Sequence, residues 1–174
     1  MKVTDVKVDL MSIEKGCFVK GYAKRFNYYR VTPDCHVIFI KSDSFNKISY
    51  LYFYRGQLPP FRKWYLYRSL PFIVRLISFF EYKKNEVFTT KELSSIFTDV
   101  DYSALRPTVS AYMSDRIMIT SNRKMFYGHK KGLDLLEKHL KKIKVPYQRL
   151  KNEGKRLVIT IRHGDKERTL TYTY

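Results

Sequence analysis

The sequence is poor in acidic residues and in cysteine. Its 174 residues include 16 Asp and Glu against 34 Lys and Arg, which gives a formal net charge of +18. A surface made soluble by charge normally mixes both signs, so this excess indicates a polyanionic partner, nucleic acid before an anionic membrane. The only two cysteines, Cys17 and Cys35, form no CxxC pair. We expect them to be buried small apolar residues rather than a disulfide.

Signals for secretion and membrane insertion are also missing. The first ten residues lack the apolar core of a signal peptide. The longest apolar run, residues 71–80, is interrupted by Arg75 and is too short to span a bilayer. We therefore expect a cytoplasmic protein that is not secreted and has no membrane partner. Hydrophobic residues make up 44% of the chain, which is enough for a packed core and excludes general disorder.

Motifs that carry catalysis are absent or poorly placed. There is no P-loop and no GxGxxG run. The run LVITIRHGD resembles the RHG motif of histidine phosphatases, but that motif opens the phosphatase domain, whereas only eleven residues follow His163. Asp5 and Asp9 alone do not make a metal nuclease, and Tyr172 or Tyr174 lacks the basic residues of a recombinase. The histidines are scattered, which predicts no metal site: His36, His129, His139 and His163. We expect no catalytic residue, no cofactor and no enzyme, with a nuclease or recombinase as the minor alternative.

Residues 1–65 show the pattern of a β-rich module. Val6, Val8 and Leu10 alternate with charged residues, as in a half-buried strand. The apolar runs CHVIFIK and ISYLYFYR flank the turn-rich SDSFNK, which predicts a hairpin. The run GQLPP, residues 56–60, marks a break before the next region.

Residues 66–145 carry the helical signals. An apolar helix, LPFIVRLISFFEYKK, follows a capping residue at Ser69, and Thr89-x-x-Glu92 has the spacing of a capping box that opens a second helix. Asp101 precedes a third helix. The hairpin RIMITSNRKMFYG and a closing helix, GLDLLEKHLKKIK, follow. The inward positions of the third helix recur every four residues: Leu105, Val109 and Met113.

This order of motifs resembles the winged helix-turn-helix DNA-binding superfamily, particularly its archaeal and bacterial transcription regulators. The resemblance covers about residues 70–144. It implies an α+β fold in which KELSSIF positions a recognition helix, DYSALRPTVSAYMSD, and IMITSNRKMFYG forms the wing. Pro107 predicts either a kink in a helix that begins at Asp101 or a shorter helix that begins near Pro107.

The resemblance also implies a DNA-binding surface. An arginine on the outer face of a recognition helix can bond a guanine edge with two hydrogen bonds, and serines allow a close approach of the backbone. The predicted DNA-binding residues of the recognition helix are Ser103, Arg106, Ser110 and Ser114. The predicted wing contacts are Asn122, Arg123 and Lys124. The alternative is a winged helix that binds only protein.

The closing helix carries an apolar stripe. Its residues follow the spacing three, four, three: Leu133, Leu136, Leu140 and Ile143. Two interpretations remain open, packing on the first helix of the domain or the seam of a homodimer that matches two DNA half-sites.

Residues 146–174 are expected to form a C-terminal domain that consists of one β-hairpin, RLVITIR and ERTLTYTY around the turn HGDK. A two-stranded hairpin is marginal alone, so it should dock on the N-terminal module or on a partner subunit. In the N-terminal module Tyr50, Tyr52 and Tyr54 share one strand face. They either stack the bases of single-stranded nucleic acid or form part of the sheet core.

The sequence therefore predicts a duplex DNA-binding transcription regulator or an origin-type binder from a viral, plasmid or archaeal host. The alternative is an interaction subunit of a replication or RNA-processing machine. In that case the winged helix contacts protein and the tyrosine-rich module contacts single strands.

Overall fold

The computed structural model describes residues 13–23, 34–43, 48–113, 115–151 and 156–173. Over these residues the chain has a mixed α+β architecture with two antiparallel sheets, in agreement with the expected class. The chain divides into two compact units. Unit 1 holds the described residues up to Pro60, residues 64–75 and residues 157–172, and unit 2 is built mainly from residues 76–156.

The described part of the chain contains nine strands, four α-helices and one 3₁₀ helix. The strands are β1 Phe18–Ala23, β2 Cys35–Asp43, β3 Ile48–Arg55, β4 Val87–Phe88, β5 Asp115–Ile119, β6 Lys124–Gly128, β7 Tyr147–Lys151, β8 Arg156–His163 and β9 Lys166–Thr173. The helices are α1 Phe72–Tyr82, α2 Thr90–Ile96, α3 Tyr102–Tyr112 and α4 Lys130–Lys142, and a 3₁₀ helix spans Phe61–Leu66.

Unit 1 contains a five-stranded sheet in the order β1-β3-β2-β8-β9, and its strands β2 and β3 bury side chains on both faces. One face buries a cluster that includes Val37, Phe39 and Phe53. On the other face Phe18 packs against Trp64 with ring centroids 5.2 Å apart. Burial of both faces explains why β2 and β3 are almost continuously apolar or aromatic instead of alternating with polar residues. The hairpin predicted from their sequence is confirmed. The strand predicted around Val6–Leu10 lies outside the described residues.

The C-terminal hairpin β8–β9 belongs to the same sheet. Strand β8 pairs with β2 from His36↔His163 to Ile40↔Ile159 and buries Leu157, Ile159 and Ile161. The sequence left open whether this hairpin docks on the N-terminal module or on a partner subunit. The contacts described here are with the strands of the N-terminal module.

Strand β7 was not among the expected elements, and it changes the expected boundary at residue 146. It pairs with β5 from Asp115↔Lys151 to Ile119↔Tyr147. Strand β7 thus belongs to the second sheet, which has the order β4-β6-β5-β7, rather than to the C-terminal hairpin. The physical reason is that Arg149 on β7 donates hydrogen bonds to both carboxylate oxygens of Asp115 on β5, at 3.2 and 3.0 Å.

Helix α1 begins in the last residues of unit 1 and continues into unit 2 at Leu76. The expectation of a helix buried on all sides is confirmed from Val74 to Phe80, although α1 begins at Phe72 rather than at Leu70. The hydroxyl of Ser78 donates to the carbonyl of Phe61 at 2.6 Å, so this polar group is satisfied inside the core. Phe79 packs edge-on against Phe97, which follows α2.

Thr89 is the N-cap of α2, as the capping-box spacing predicted, and Glu92 bonds the hydroxyl of Thr89. The hydroxyl of Thr89 accepts from the N–H of Glu92 at 3.3 Å and donates to its carboxylate at 3.1 Å. Helix α3 starts after Asp101 and runs through Pro107, so the alternative of a shorter helix that begins near Pro107 is wrong. Pro107 lies on the exposed side of α3. Proline has no N–H to donate to the carbonyl one turn earlier, and on this side water can donate to that carbonyl instead.

The apolar stripe of α4 is part of the unit 2 core. Leu133 and Leu140 are buried in one cluster with Ile117 of β5, and Leu136 packs against it. The helix therefore packs on strands of the sheet in unit 2. Ile143 follows the helix as its C-cap and is 50% exposed. Because the other stripe residues are used inside the unit, the four residues do not form an open dimer seam.

Candidate nucleic-acid interface

A cleft of about 770 Å³ lies in unit 2 between α3, the start of α2 and the hairpin β5–β6. We call it the α3–hairpin cleft. Helix α3 contributes Tyr102, Arg106 and Ser110, which are four residues apart and so lie along one side of the helix. The neighbouring stripe of α3, which holds Leu105 and Val109, is buried in the core. The sequence of α3 therefore places one stripe of side chains in the core and another stripe along the cleft.

The hairpin contributes one face to the cleft. Arg116 pairs with Tyr127 and Met118 pairs with Met125, and all four line the cleft. Cross-strand partners share a face of the sheet, and neighbours along a strand point to opposite faces. Ile117, between Arg116 and Met118, is accordingly buried in the core.

Hydrogen bonds fix α3 against the hairpin. The hydroxyls of Ser110 and Tyr127 are 3.0 Å apart, and Nη1 of Arg116 donates to the carbonyl of Ser110 at 2.9 Å. This carbonyl lies in the last turn of α3, where helix carbonyls lack intrahelical donors. Arg116 thus satisfies the helix end and connects it to β5. Ser110 is half-buried and serves this connection, so it is not a free hydroxyl on the outer face as expected.

The turn of the hairpin presents two cations. The side chain of Asn122 accepts from the backbone N–H of Lys124 at 3.0 Å, and Arg123 adopts the left-handed conformation with a φ of 52°. Asn122 is therefore engaged in the turn itself. The side chains of Arg123 and Lys124 are exposed and line the cleft.

The cleft is strongly positive. One carboxylate, Glu92, lines it and already accepts from Thr89. Five cations line it: Lys91, Arg106, Arg116, Arg123 and Lys124. No ion pair joins any of the five to another residue that the structure describes, and Arg116 donates instead to the carbonyl of Ser110. Some cations elsewhere in unit 2 are paired with a carboxylate, for example Lys84 with Glu81 at 3.1 Å. Unneutralised cations that surround one concave surface focus a positive field there.

The structure brings together four of the seven residues predicted to contact DNA. Arg106, Ser110, Arg123 and Lys124 line the cleft. Ser103 is exposed on α3 but outside the cleft lining, Asn122 is used in the turn, and Ser114 lies outside the described residues.

Sequence reasoning missed several residues of the cleft. They are Lys91, Tyr102, Arg116, Met118 and Met125. The signal for the hairpin residues was the alternation along β5. Since Ile117 and Ile119 are apolar and share the core face, Arg116 and Met118 belong to the other face. Tyr102 is spaced four residues before Arg106, which places it on the same side of α3.

The tyrosines of β3 do not form a stacking surface. Tyr50 is 41% exposed, whereas Tyr52 is 3% and Tyr54 is 6% exposed. Burial raises the pKa of Tyr52, and burial together with a hydrogen bond to Tyr67 raises the pKa of Tyr54 to about 12. The interpretation as part of the sheet core is therefore correct for these two, because their ring faces pack against protein.

The described residues contain no cluster of three or more His, Cys, Asp or Glu that could hold a metal ion. None of the described helices combines the length and hydrophobicity needed to cross a membrane. In comparisons with known proteins, no protein-family model, no curated protein and no solved structure matches this chain.

Proposed function

We propose that unit 2 is a winged helix-turn-helix and that it binds duplex DNA, with α3 as the recognition helix and the β5–β6 turn as the wing. The supporting order is α1, β4, α2, α3, β5, β6, with the strands arranged β4-β6-β5. The biological role proposed with it is that of a transcription regulator or an origin-type binder.

The observation that carries the proposal is the set of unpaired cations around the α3–hairpin cleft. Arg106 lies on the exposed side of α3, and Arg123 and Lys124 lie at the tip of the hairpin. Phosphate contacts from such cations supply most of the affinity of DNA-binding proteins and fix the register of the complex. An arginine at the exposed centre of the helix is then in a position to reach a base edge.

A competing site on α4 is less well suited to duplex DNA. Its exposed lysines, such as Lys138 and Lys142, lie on a convex helix rather than around a cleft, and Lys141 is paired with Glu137 at 3.8 Å. This helix supplies a matched control because the same number of charges can be removed from it.

The test is a salt series of duplex binding measured by fluorescence anisotropy. The double variant Arg123→Ala/Lys124→Ala should bind more weakly, and its slope of log K against log salt should fall by about 2, because each phosphate contact contributes about 0.9. The control variant Lys138→Ala/Lys142→Ala should keep the wild-type slope. If both double variants lost the same amount of duplex affinity, the localised interface would be refuted. If the wild type did not bind duplex DNA near physiological salt, the proposed function would be refuted.

The role of α3 needs a separate measurement. Arg106→Ala should reduce the preference for the best sequence in a selection from random duplexes by about 1–3 kcal/mol, since one bidentate contact discriminates by that amount. Unchanged sequence preference in this variant would remove Arg106 from the recognition surface.

A further inference from the structure

Two methionines lie in the positively charged cleft and are not explained by contacts with phosphate. Met118 and Met125 are cross-strand partners on the face of the hairpin that lines the cleft, and both remain partly exposed. Thioether side chains gain nothing from phosphate oxygens. They are adaptable apolar surfaces that make favourable contacts with aromatic rings.

An exposed aromatic residue lies in the same cleft. Tyr102 at the start of α3 is 48% exposed, and its hydroxyl is 3.4 Å from that of Thr90. Arg106 follows it by one turn of the helix and also lines the cleft. The cleft therefore combines apolar and aromatic side chains with cations. This is the combination that binds a nucleobase together with its phosphate.

The size of the cleft agrees with such a ligand. Its volume of about 770 Å³ falls in the range of sites that enclose a small organic molecule. A row of phosphates that passes over a basic surface needs no concave space of this volume, because its contacts are made by side chains that extend outward.

We infer that the α3–hairpin cleft accommodates an unpaired nucleotide next to the bound duplex, so that the preferred ligand is a junction between duplex and single-stranded DNA. This inference rests on the proposed function of unit 2. In a continuous duplex the faces of the bases are stacked on one another and only their edges are accessible. Met118, Met125 and Tyr102 can contact the face of a base only when that base has left the stack.

The expected recognition is tolerant of sequence. Every base has an aromatic face, and contacts with that face do not depend on its hydrogen-bonding edge. Lys91, Arg123 and Lys124 would hold the phosphates on either side of the unpaired nucleotide. The cleft would thus select the junction, while Arg106 would select the duplex sequence beside it.

The test compares three ligands by fluorescence anisotropy at one salt concentration. The first is a short blunt duplex, and the second is the same duplex with a single-stranded extension of a few nucleotides, made once as a 5′ and once as a 3′ extension. The third is the single-stranded extension alone. We expect at least one polarity of the extended duplex to bind about tenfold more tightly than the blunt duplex, in line with stacking of a single base. Equal binding of blunt and extended duplexes would overturn the inference while leaving the proposed function intact.

Variants separate the base contact from the phosphate contacts. Met118→Ala/Met125→Ala should lose the tenfold preference and bind the blunt duplex as the wild type does, whereas Arg123→Ala/Lys124→Ala should weaken both ligands. Met118→Leu/Met125→Leu keeps the apolar surface and should keep the preference for the extended duplex. This variant therefore distinguishes loss of the apolar contact from a general effect of substitution on folding. Leu135→Ala on the exposed side of α4 is the control for loss of an exposed apolar side chain.

The outcomes distinguish the two proposals. If the methionine variant weakens the blunt and extended duplexes by the same factor, the methionines contact the duplex itself, for example a thymine methyl group, and the junction proposal is overturned. If neither duplex binds in the wild type, the proposed function fails and the junction proposal fails with it.

Discussion

Replacement of Arg149 should destabilise unit 2 more than replacement of any exposed arginine. Its guanidinium is 13% exposed and contacts three carboxylates from two elements. It donates to both oxygens of Asp115 on β5 at 3.2 and 3.0 Å, and to Asp134 and Glu137 on α4 at 2.6 and 2.5 Å. Arg149 therefore connects β7, β5 and α4 through one group.

The magnitude follows from the burial of the partners. Removal of one partner from a buried ion pair costs about 3–5 kcal/mol because the other charge is left uncompensated. Asp115 and Glu137 are about one-fifth exposed, but Asp134 is half-exposed and solvent screens its charge. We therefore expect Arg149→Met to lower the free energy of unfolding by about 2–4 kcal/mol near neutral pH. Arg149→Lys should lie between Met and wild type, since an ammonium group cannot form the same planar set of bonds.

The effect should depend on pH with a defined sign. Hydrogen bonding to Arg149 is the main reason that the pKa of Glu137 is lowered in the folded state. A carboxylate with a depressed folded pKa stabilises the protein above its unfolded pKa and loses that contribution as the pH falls through the folded value. The difference between wild type and Arg149→Met should therefore shrink below about pH 4.

Urea unfolding provides the measurement. Far-ultraviolet circular dichroism follows the helices, which lie mainly in unit 2, while the fluorescence of Trp64 follows unit 1. Arg106→Met is the control, since this exposed arginine has no ion pair with a described residue and should change stability by less than about 0.5 kcal/mol. If Arg149→Met costs no more than the control, or costs as much in acid as at neutral pH, the carboxylate cluster does not stabilise the unit as argued.

Two further predictions concern one glycine and one histidine. Gly132→Ala should lower the stability of unit 2 by about 1–3 kcal/mol, because the added Cβ would lie 2.7 Å from the carbonyl oxygen of Glu86; thermal unfolding beside Lys131→Ala checks this, and equal melting temperatures would contradict it. His36 stacks on His163 with ring centroids 4.1 Å apart, and burial, followed by the charge of His163, lowers its pKa. The neutral form is thus favoured in the folded state, and Trp64 fluorescence should report a loss of unit 1 stability as the pH falls below about 6.5. His36→Leu should reduce that loss and His139→Ala should not.

The strongest local patterns predicted their elements well. The capping box at Thr89, the four-residue spacing of Leu105 and Val109, and the aromatic runs of β2 and β3 each act within one element, and the structure contains the corresponding helix or strand. Weaker local rules misplaced the ends. Proline has no N–H to donate, so Pro71 can precede α1 as well as open it, and the helix begins at Phe72.

Pairing between distant segments was not accessible from the same patterns. Nothing local in YQRLK indicates that β7 pairs with β5 rather than extending the C-terminal hairpin, because the deciding contact joins Arg149 to Asp115 across 34 residues. The stripe on α4 was likewise compatible with two partners. An apolar stripe specifies that a face is buried but does not specify against what.

The candidate site combines both kinds of information. Arg106, Arg123 and Lys124 were identified from local positions, on the outer side of a helix and in a turn. The cleft itself depends on how α3 lies against the hairpin, which is fixed by the bonds from Arg116 and Tyr127 to Ser110. Met118 and Met125 line this cleft together with Tyr102 and Arg106. Charge alone predicts that nucleic acid binds, whereas the apolar residues among the charges determine which form of nucleic acid fits, so the methionine variants are the more discriminating test of this surface.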